Sequence, residues 1–264
     1  GVSNGPSPKW VQDRLIAIGL RPISALVDIT NLVTFDLCRP LHVFDADKVS
    51  GDLTMRFARD GEKILALDGR EYTLEDGMSV IADANGVHGI GGIMGGEDTG
   101  CTEETTNVFL EVALFDPIRT AATGRKLGIE SDARYRFERG LDPESAYWGA
   151  EVATRLILEF CGGEASELTV SGEMPDWARP VSLRPERLKS FGGVDIATEE
   201  ALSILDRLGF KPAQDNGLIK ATTPSWRADV STEYCLIEEV LRVKGFDEIP
   251  AVPMERETSL PNPA

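Results

Sequence analysis

Ile64-Leu65-Ala66-Leu67-Asp68-Gly69 is a short apolar run that ends in a dipeptide typical of tight β-turns. Asp and Gly tolerate the positive φ angles that a two-residue hairpin turn requires, so the run predicts a strand that enters a hairpin. Comparable short runs lie at Leu53–Ala58, Ser79–Ala82 and Val108–Ala113. The first part of the chain is therefore predicted to be rich in short strands.

Helical patterns surround these strands. Ser7-Pro8 reads as an N-cap followed by proline at the first helical position, and apolar residues at helical spacing follow from Trp10 to Ile18. The segment Pro143–Phe160 is also predicted to be a helix, because Cys161-Gly162-Gly163 ends a long helical pattern. The glycine-dense stretch Gly89–Gly96 is predicted to be a loop.

A shift in composition marks a domain boundary within Ser171–Pro180, which contains glycine, two prolines and Trp177. The unit after it is predicted to contain strands around Ile219–Thr223 and helices at Pro185–Phe191, Thr198–Leu208 and Ser231–Lys244. The fold class expected is α+β: a mixed β-rich domain over residues 1–174, then a small helix-rich α+β domain over 178–253. Residues 254–264 are expected to link to further domains.

Composition limits the classes of function. A net charge of −17 argues against nonspecific nucleic-acid binding, and no DNA partner is expected. No apolar run is long enough to cross a bilayer, and no secretory signal is visible, so no membrane partner is expected. The four cysteines form no CxxC pair, which favours reduced thiols over a zinc site or two disulfides.

The Gly89–Gly96 stretch can be read in two ways. It lacks the Lys-Ser/Thr of a phosphate loop, so it is either a structural turn or a wall of backbone N–H groups around a small ligand. His42 lies in the apolar stretch Pro40–Asp45 and is either a core residue or a catalyst. No serine is obviously set for activation by histidine, so a covalent nucleophile is not expected.

Carboxylates stand out at two places. Glu111 shares one side of an apolar strand with Phe109 and Ala113, which favours a pocket carboxylate over a solvent-facing one. Asp229, Glu238 and Glu239 are either a solvated acidic face or oxygen ligands for Mg²⁺.

Taken together and in order, these motifs resemble the β subunit of bacterial-type phenylalanyl-tRNA synthetases. The earlier motifs resemble its B3/B4 editing domain, and the later ones, from about Ala178 to Pro253, resemble its B5 domain. The stretches that carry the resemblance are Trp10–Leu15, Gly19–Ile23, Val27–Asn31, Pro40–Asp45, Gly92–Gly96, Leu110-Glu111, Ser131–Pro143, Pro224–Arg227 and Ile237–Asp247.

The resemblance implies a cytoplasmic (αβ)₂ enzyme that joins phenylalanine to its tRNA using ATP. In that enzyme the B3/B4 domain hydrolyses tyrosine wrongly attached to the tRNA. The family's editing positions fall on two sets of residues. The catalytic set, which would orient the tRNA 3′ end and a water, is His42, Asn31 and Ser131. The set that would bind the edited amino acid is Gly95, Glu111 and Ala133. The family usually has threonine at Ser131, and serine keeps the hydroxyl.

The resemblance also implies partners and cofactors: a synthetase α subunit, the 3′ end of phenylalanine tRNA, and ATP and Mg²⁺ in the whole enzyme. The family's metal set, shared with the α subunit, falls on Asp229, Cys235, Glu238 and Glu239. Cys235 stands where the family has aspartate, and thiols bind Mg²⁺ poorly, so no cofactor is expected in this chain. The alternative function is a non-catalytic module that binds tRNA or docks the α subunit.

Overall fold

The computed structural model describes residues 1–253 of the chain and divides it into two compact units, one over Gly1–Pro175 and the other beginning at Asp176. Both units combine helices with antiparallel strands, so the predicted α+β class is confirmed. The linker predicted for residues 254–264 lies outside the described residues. Within the described part of the chain, no helix is long and apolar enough to cross a membrane.

The first unit contains five helices and eight strands among its described residues. In chain order these are α1 (Lys9–Ala17), α2 (Ala25–Asp36), β1 (His42–Asp45), β2 (Thr54–Phe57), β3 (Lys63–Leu65), β4 (Glu71–Thr73), β5 (Ser79–Ala82), β6 (Val87–Ile90), β7 (Met94–Gly95), β8 (Val108–Glu111), α3 (Pro117–Leu127), α4 (Asp132–Phe137) and α5 (Ser145–Cys161).

The strands form three antiparallel groups. A four-stranded sheet has the order β2-β5-β6-β7, β3 pairs with β4, and β1 pairs with β8. The hairpin predicted at Asp68-Gly69 is confirmed, because Ile64 on β3 lies opposite Tyr72 on β4 and Gly69 has a φ of 76°. The strands predicted around β2, β5 and β8 are also confirmed.

Helices α2 and α5 pack together over the β1–β8 pair. Their buried residues Ile29, Val33, Ala153 and Ile157 join Val43 of β1 in one apolar cluster. Burial of one such side chain contributes roughly 1.5–3 kcal/mol, so this cluster holds the β1–β8 pair firmly against the helices. The helices predicted at Trp10–Ile18 and Pro143–Phe160 are confirmed as α1 and α5.

Two local predictions are wrong. The Gly89–Gly96 stretch is not a loop, because it forms most of the β6–β7 hairpin, in which Gly89 lies opposite Gly95 and the turn contains Gly92 with a φ of 71°. Glycine permits that φ, and it does not prevent strand pairing on either side. Ser7 is not an N-cap, because its hydroxyl donates instead to the buried Asp28 carboxylate at 2.5 Å.

The second unit places helices on a small antiparallel sheet with the order β10-β11-β9. Its elements are β9 (Pro180–Leu183), α6 (Glu186–Ser190), α7 (Thr198–Arg207), β10 (Lys211–Asp215), β11 (Leu218–Thr222) and α8 (Glu233–Lys244), which confirms the three helices and the strand predicted there. Leu205, Phe210, Ile219, Leu236 and Val240 form the centre of its core.

Candidate functional site

The β1–β8 ribbon brings two predicted site residues together. Its register sets His42 directly opposite Glu111, and Phe44 opposite Phe109. Residues opposite each other in an antiparallel pair project to the same face, so the four side chains share one face of the ribbon. The His42 and Phe44 rings lie edge to face, with centroids 4.4 Å apart.

Gly95 forms a wall against the imidazole. A Cβ atom at Gly95 would overlap Cε1 of His42 and would lie 2.9 Å from its Nε2, so only glycine lets the ring rest against the β6–β7 hairpin. No group among the described residues bonds to the buried Nε2 atom. Burial lowers the pKa of His42 to about 4, so the ring is neutral at physiological pH.

Glu111 is a carboxylate in unusual surroundings. The residue is half-buried, so part of it reaches solvent. Among the described residues no hydrogen bond or salt bridge engages that carboxyl. Burial raises its pKa to about 7, and the positive charge of Arg39 opposes that rise. Glu111 therefore offers acceptor oxygens that the fold itself leaves unused.

Ser131 joins α4 to the glycine hairpin. Its hydroxyl donates to the carbonyl of Ile93 at 2.6 Å and accepts from the backbone N–H of Arg134 at 3.1 Å, so it caps α4. Ala133 lies half-buried in the first turn of that helix. Farther along α4, Phe137 packs on Gly92 in the turn between β6 and β7, where a Cβ atom would lie 3.1 Å from the ring.

Five of the six candidate residues thus lie close together, and the sixth, Asn31, has no contact shown with them among the described residues. Direct contact or strand pairing links His42 to Gly95 and Glu111, and the Ser131 bond brings the segment that carries Ala133 to the same hairpin. Asn31 lies half-buried on α2, with no bond to this group among the described residues.

A recess of about 310 Å³ lies beside the same hairpin. Asp68, Arg70, Tyr72, Met94 and Ile129 are among the residues that line it. It shares only Met94 with the Gly92–Gly96 segment and includes none of the candidate residues. The predicted cavity in front of Glu111 therefore stays a prediction.

One residue beside the site escaped sequence analysis. Arg39 is fully buried, and its charge acts on Glu111. An arginine that precedes a proline at the end of a helix ordinarily reads as a surface residue. The only available signal was its position directly before the apolar Pro40–Asp45 stretch.

The acidic residues of the second unit do not form one solvated face, which was one of the two interpretations of the sequence. Glu238 is exposed, but Glu239 is buried on the other side of α8. The Arg227 guanidinium donates to Glu239 at 2.8 and 3.1 Å and to Asp229 at 2.8 and 2.7 Å. These bonds lower the pKa of both carboxyls. Helix periodicity explains the difference, since neighbouring residues project about 100° apart.

These residues do not fit a magnesium site. The guanidinium of Arg227 already neutralises Asp229 and Glu239, and the Cys235 thiol lies 3.3 Å from the Thr232 hydroxyl. Throughout residues 1–253, no three His, Cys, Asp or Glu side chains are grouped to hold a metal ion. The predicted set of Asp229, Cys235, Glu238 and Glu239 is therefore not assembled around one point in this chain.

Comparison with known proteins identifies both units. Residues 1–162 match the B3/4 domain family, and residues 181–246 match the tRNA synthetase B5 domain family. The chain is 58% identical to the phenylalanine–tRNA ligase β subunit of Paramagnetospirillum magneticum, over 100% of this chain and 33% of that protein. It is 59% identical to the β subunit of Rhodospirillum rubrum, over 97% of this chain and 32% of that protein.

The chain thus spans about a third of the length of these relatives. An N-terminal fragment of the phenylalanyl-tRNA synthetase β subunit from Pyrococcus horikoshii is similar at a TM-score of 0.39 and 16% identity, over 82% of this chain and 64% of that one. A similarity of that size supports no inference about the site. The chain belongs to the B3/4 domain family, carries a B5 domain as well, and groups by sequence with the β subunits of phenylalanine–tRNA ligase.

Proposed function

We propose that this chain is the proofreading part of a phenylalanine–tRNA ligase β subunit and that it hydrolyses tyrosine from mischarged phenylalanine tRNA. The observation that carries the proposal is the Glu111 carboxylate. It lies opposite His42 on the ribbon, half-buried and without a hydrogen-bond donor among the described residues. An acceptor left unused by the fold is suited to a donor that arrives with the substrate.

The chemistry of tyrosine supplies that donor. Tyrosine and phenylalanine differ by one hydroxyl group, and a site that merely accommodates the ring separates them poorly. A site whose buried acceptor must be paired rejects the analogue that lacks the hydroxyl by a large factor, because the acceptor would remain unsatisfied. We assign Glu111 as the acceptor for the phenol, with the Gly95 backbone as a wall and Ala133 leaving room for the ring.

Catalysis then requires only a positioned water. Aminoacyl esters are labile, so holding water at the correct angle is a sufficient source of rate enhancement. His42 is neutral at physiological pH and has an unpaired Nε2 atom, so it is able to bond to a water or to the tRNA 3′ end. The Ser131 hydroxyl is engaged in capping α4, which gives it a positioning role rather than that of a nucleophile. Asn31 is proposed to contact the tRNA 3′ end.

The proposed setting is a cytoplasmic enzyme in which an α subunit forms the aminoacyl-adenylate from ATP with Mg²⁺. The acidic cluster of the second unit is not expected to bind that Mg²⁺, because Arg227 already pairs with Asp229 and Glu239. Its RNA contacts are expected to be local, since its net charge is −17.

Deacylation of tyrosyl-tRNA tests the proposal. In the complete enzyme, Glu111→Ala is expected to slow hydrolysis roughly ten- to a hundredfold, because a charged hydrogen bond contributes about 1.5–3 kcal/mol. Ala133→Trp is expected to block the pocket. The matched control is Glu71→Ala, which removes an exposed strand glutamate from the same unit.

The same assay separates the two candidate functions. If the unmodified enzyme and both pocket variants hydrolyse tyrosyl-tRNA no faster than buffer, the chain is better described as a non-catalytic tRNA-binding or α-subunit-docking module. If both variants hydrolyse it at the unmodified rate, the pocket assignment is wrong.

A further inference from the structure

The further inference concerns Arg39, the residue between α2 and β1. It has no solvent-exposed surface and is one of the largest fully buried side chains in the described chain. Removing a guanidinium from water costs several kcal/mol unless partners compensate. A buried arginine therefore calls for an account of what compensates its charge.

Its hydrogen bonds provide little of that compensation. The Nη2 atom donates to the backbone carbonyl of Ala113, two residues beyond Glu111. The Nε and Nη1 atoms have no acceptor among the described residues. A buried side chain with two of its three nitrogens unbonded stabilises a fold poorly. Unsatisfied buried donors of this kind are expected mainly at functional sites.

Packing nevertheless holds the side chain in one place. A Cβ atom at Gly149 of α5 would lie 2.9 Å from Cγ of Arg39, so the glycine provides the space in which the arginine stem lies. The guanidinium carbon is 5.8 Å from the centre of the Phe137 ring on α4. Arg39 is thus enclosed by α4, α5 and the segment that follows β8.

Two carboxylates act on this buried charge: Glu111 on β8 and Asp142 just before α5. His42, the other titratable group facing Glu111, is neutral above a pH of about 4. Burial lowers the pKa of Arg39 to about 10, so the guanidinium is still charged at neutral pH. Arg39 is therefore the positive charge that acts on the Glu111 carboxyl from within the fold.

We propose that Arg39 is a positioning residue of the editing pocket: bonded to the Ala113 carbonyl, it holds the segment that follows β8 and supplies the buried charge that favours the ionised, hydrogen-bond-accepting form of Glu111. This inference rests on the proposed function and adds a specificity determinant to it. Arg39 does not touch the substrate. It acts through Glu111, so its effect must depend on pH in a way that a purely structural role does not.

The pH profile of tyrosyl-tRNA deacylation by the complete enzyme is the test. The acid limb of this profile is the pH range in which the rate rises as Glu111 loses its proton. Removing a nearby positive charge makes Glu111 harder to ionise, so Arg39→Met should move the acid limb to higher pH by about one unit. At pH 7 the rate should fall on the order of tenfold, and it should recover at high pH. Arg39→Lys keeps the charge and should leave the limb near its original position.

A second variant tests the same idea in the opposite direction and does not disturb Arg39. Asp142→Asn removes the carboxylate that competes with Glu111 for the guanidinium, while the amide oxygen still accepts from the Glu144 N–H group as Asp142 does at 3.0 Å. The acid limb should then move to lower pH. Because this change is mild, it remains informative if Arg39→Met does not fold.

The outcomes separate this inference from the proposed function. An equal loss of rate at every pH in Arg39→Met would show a purely structural role and overturn the inference, as would an unmoved acid limb in Asp142→Asn. If Glu111→Ala removes the acid limb while neither variant shifts it, the proposed function stands and the role of Arg39 fails. If Glu111→Ala leaves the whole profile unchanged, the proposed function fails too.

Discussion

Glu111 in the first unit and Glu239 in the second are both carboxylates beside apolar cores, and their surroundings are opposite. Glu239 accepts bonds from Arg227 and Arg242, which lower its pKa. Glu111 receives no side-chain donor among the described residues, and burial raises its pKa to about 7. The fold pairs the carboxylate of Glu239 and leaves that of Glu111 without a partner among the described residues.

This is the contrast that our proposal expects between a structural carboxylate and one that binds a ligand. A carboxylate that is fully paired within the fold has nothing left to offer a ligand, whereas an unpaired one costs stability that binding can recover. The acidic cluster of the second unit corresponds in sequence to a set of metal ligands, but Arg227 forms salt bridges with Asp229 and Glu239 in that cluster. Glu111 is a single acidic residue in an apolar strand, and its carboxyl has no hydrogen-bond donor among the described residues.

The largest expected effect comes from closing the wall of the pocket. Gly95→Ala places a methyl group into the His42 ring, so deacylation of tyrosyl-tRNA should fall about a hundredfold or more as the imidazole is displaced. Gly89→Ala is the matched control, because Gly89 lies opposite Gly95 and its added methyl group would meet atoms no nearer than 3.8 Å. Equal losses of deacylation rate in the two variants would show that the contact between Gly95 and His42 has no special role.

A smaller effect is expected from breaking the paired carboxylate. Arg227→Met leaves Glu239 with only the half-exposed Arg242, which should destabilise α8 by about 2 kcal/mol. Hydrogen exchange of the α8 amides in the full chain measures this loss. Lys189→Ala, which removes an exposed ion pair to Asp195, should change protection hardly at all. Unchanged protection in Arg227→Met would mean that the pairing contributes nothing to the fold.

The smallest effect concerns the stability cost of the unpaired carboxylate. The folded-state pKa of Glu111 is raised to about 7. The contribution of the Glu111 carboxyl to folding stability is therefore fully present below its pKa in the unfolded chain, roughly 4.3. That contribution is lost as the pH rises through its pKa in the folded chain. Glu111→Gln should match the unmodified chain at low pH and be more stable above neutrality. The gain should be about 1 kcal/mol, allowing for partial solvent exposure.

Urea unfolding of the first unit at both ends of that pH range measures the difference. The same gain at every pH would point to packing rather than to charge. A loss of stability above neutrality in Glu111→Gln would mean that the carboxylate is stabilised by a partner in the fold.

Most elements of the fold could be predicted from local patterns. Asp68-Gly69 predicted its hairpin because two residues determine the conformation of the turn. The glycines that follow α5 and α7 likewise predicted where these helices end. The prediction of a loop at Gly89–Gly96 was wrong because the presence of glycine indicates which backbone angles are allowed but not which strands pair. Ser7 was misread because its hydroxyl bonds to Asp28, a residue distant in sequence.

The candidate site could be predicted only in part, for a similar reason. The strand pattern and the resemblance pointed to Glu111 and His42, and the cross-strand register then set them opposite each other. Arg39 could not be found, because its burial depends on Gly149 in a helix far along the chain. The burial of Glu239 depends likewise on packing that two adjacent glutamates do not reveal. Local chemistry can be read from a sequence, whereas charge pairing depends on distant neighbours.

Titration of the glutamate carboxyls by NMR, in the full chain with isotope-labelled glutamate, tests the central contrast most directly. We predict that Glu111 titrates near pH 7 and that the pKa of Glu239 is lower than that of an ordinary glutamate. Tyrosine should lower the pKa of Glu111 by donating its hydroxyl, while phenylalanine should not. Ordinary titration of Glu111 near pH 4.3, or an equal response to both amino acids, would contradict the account.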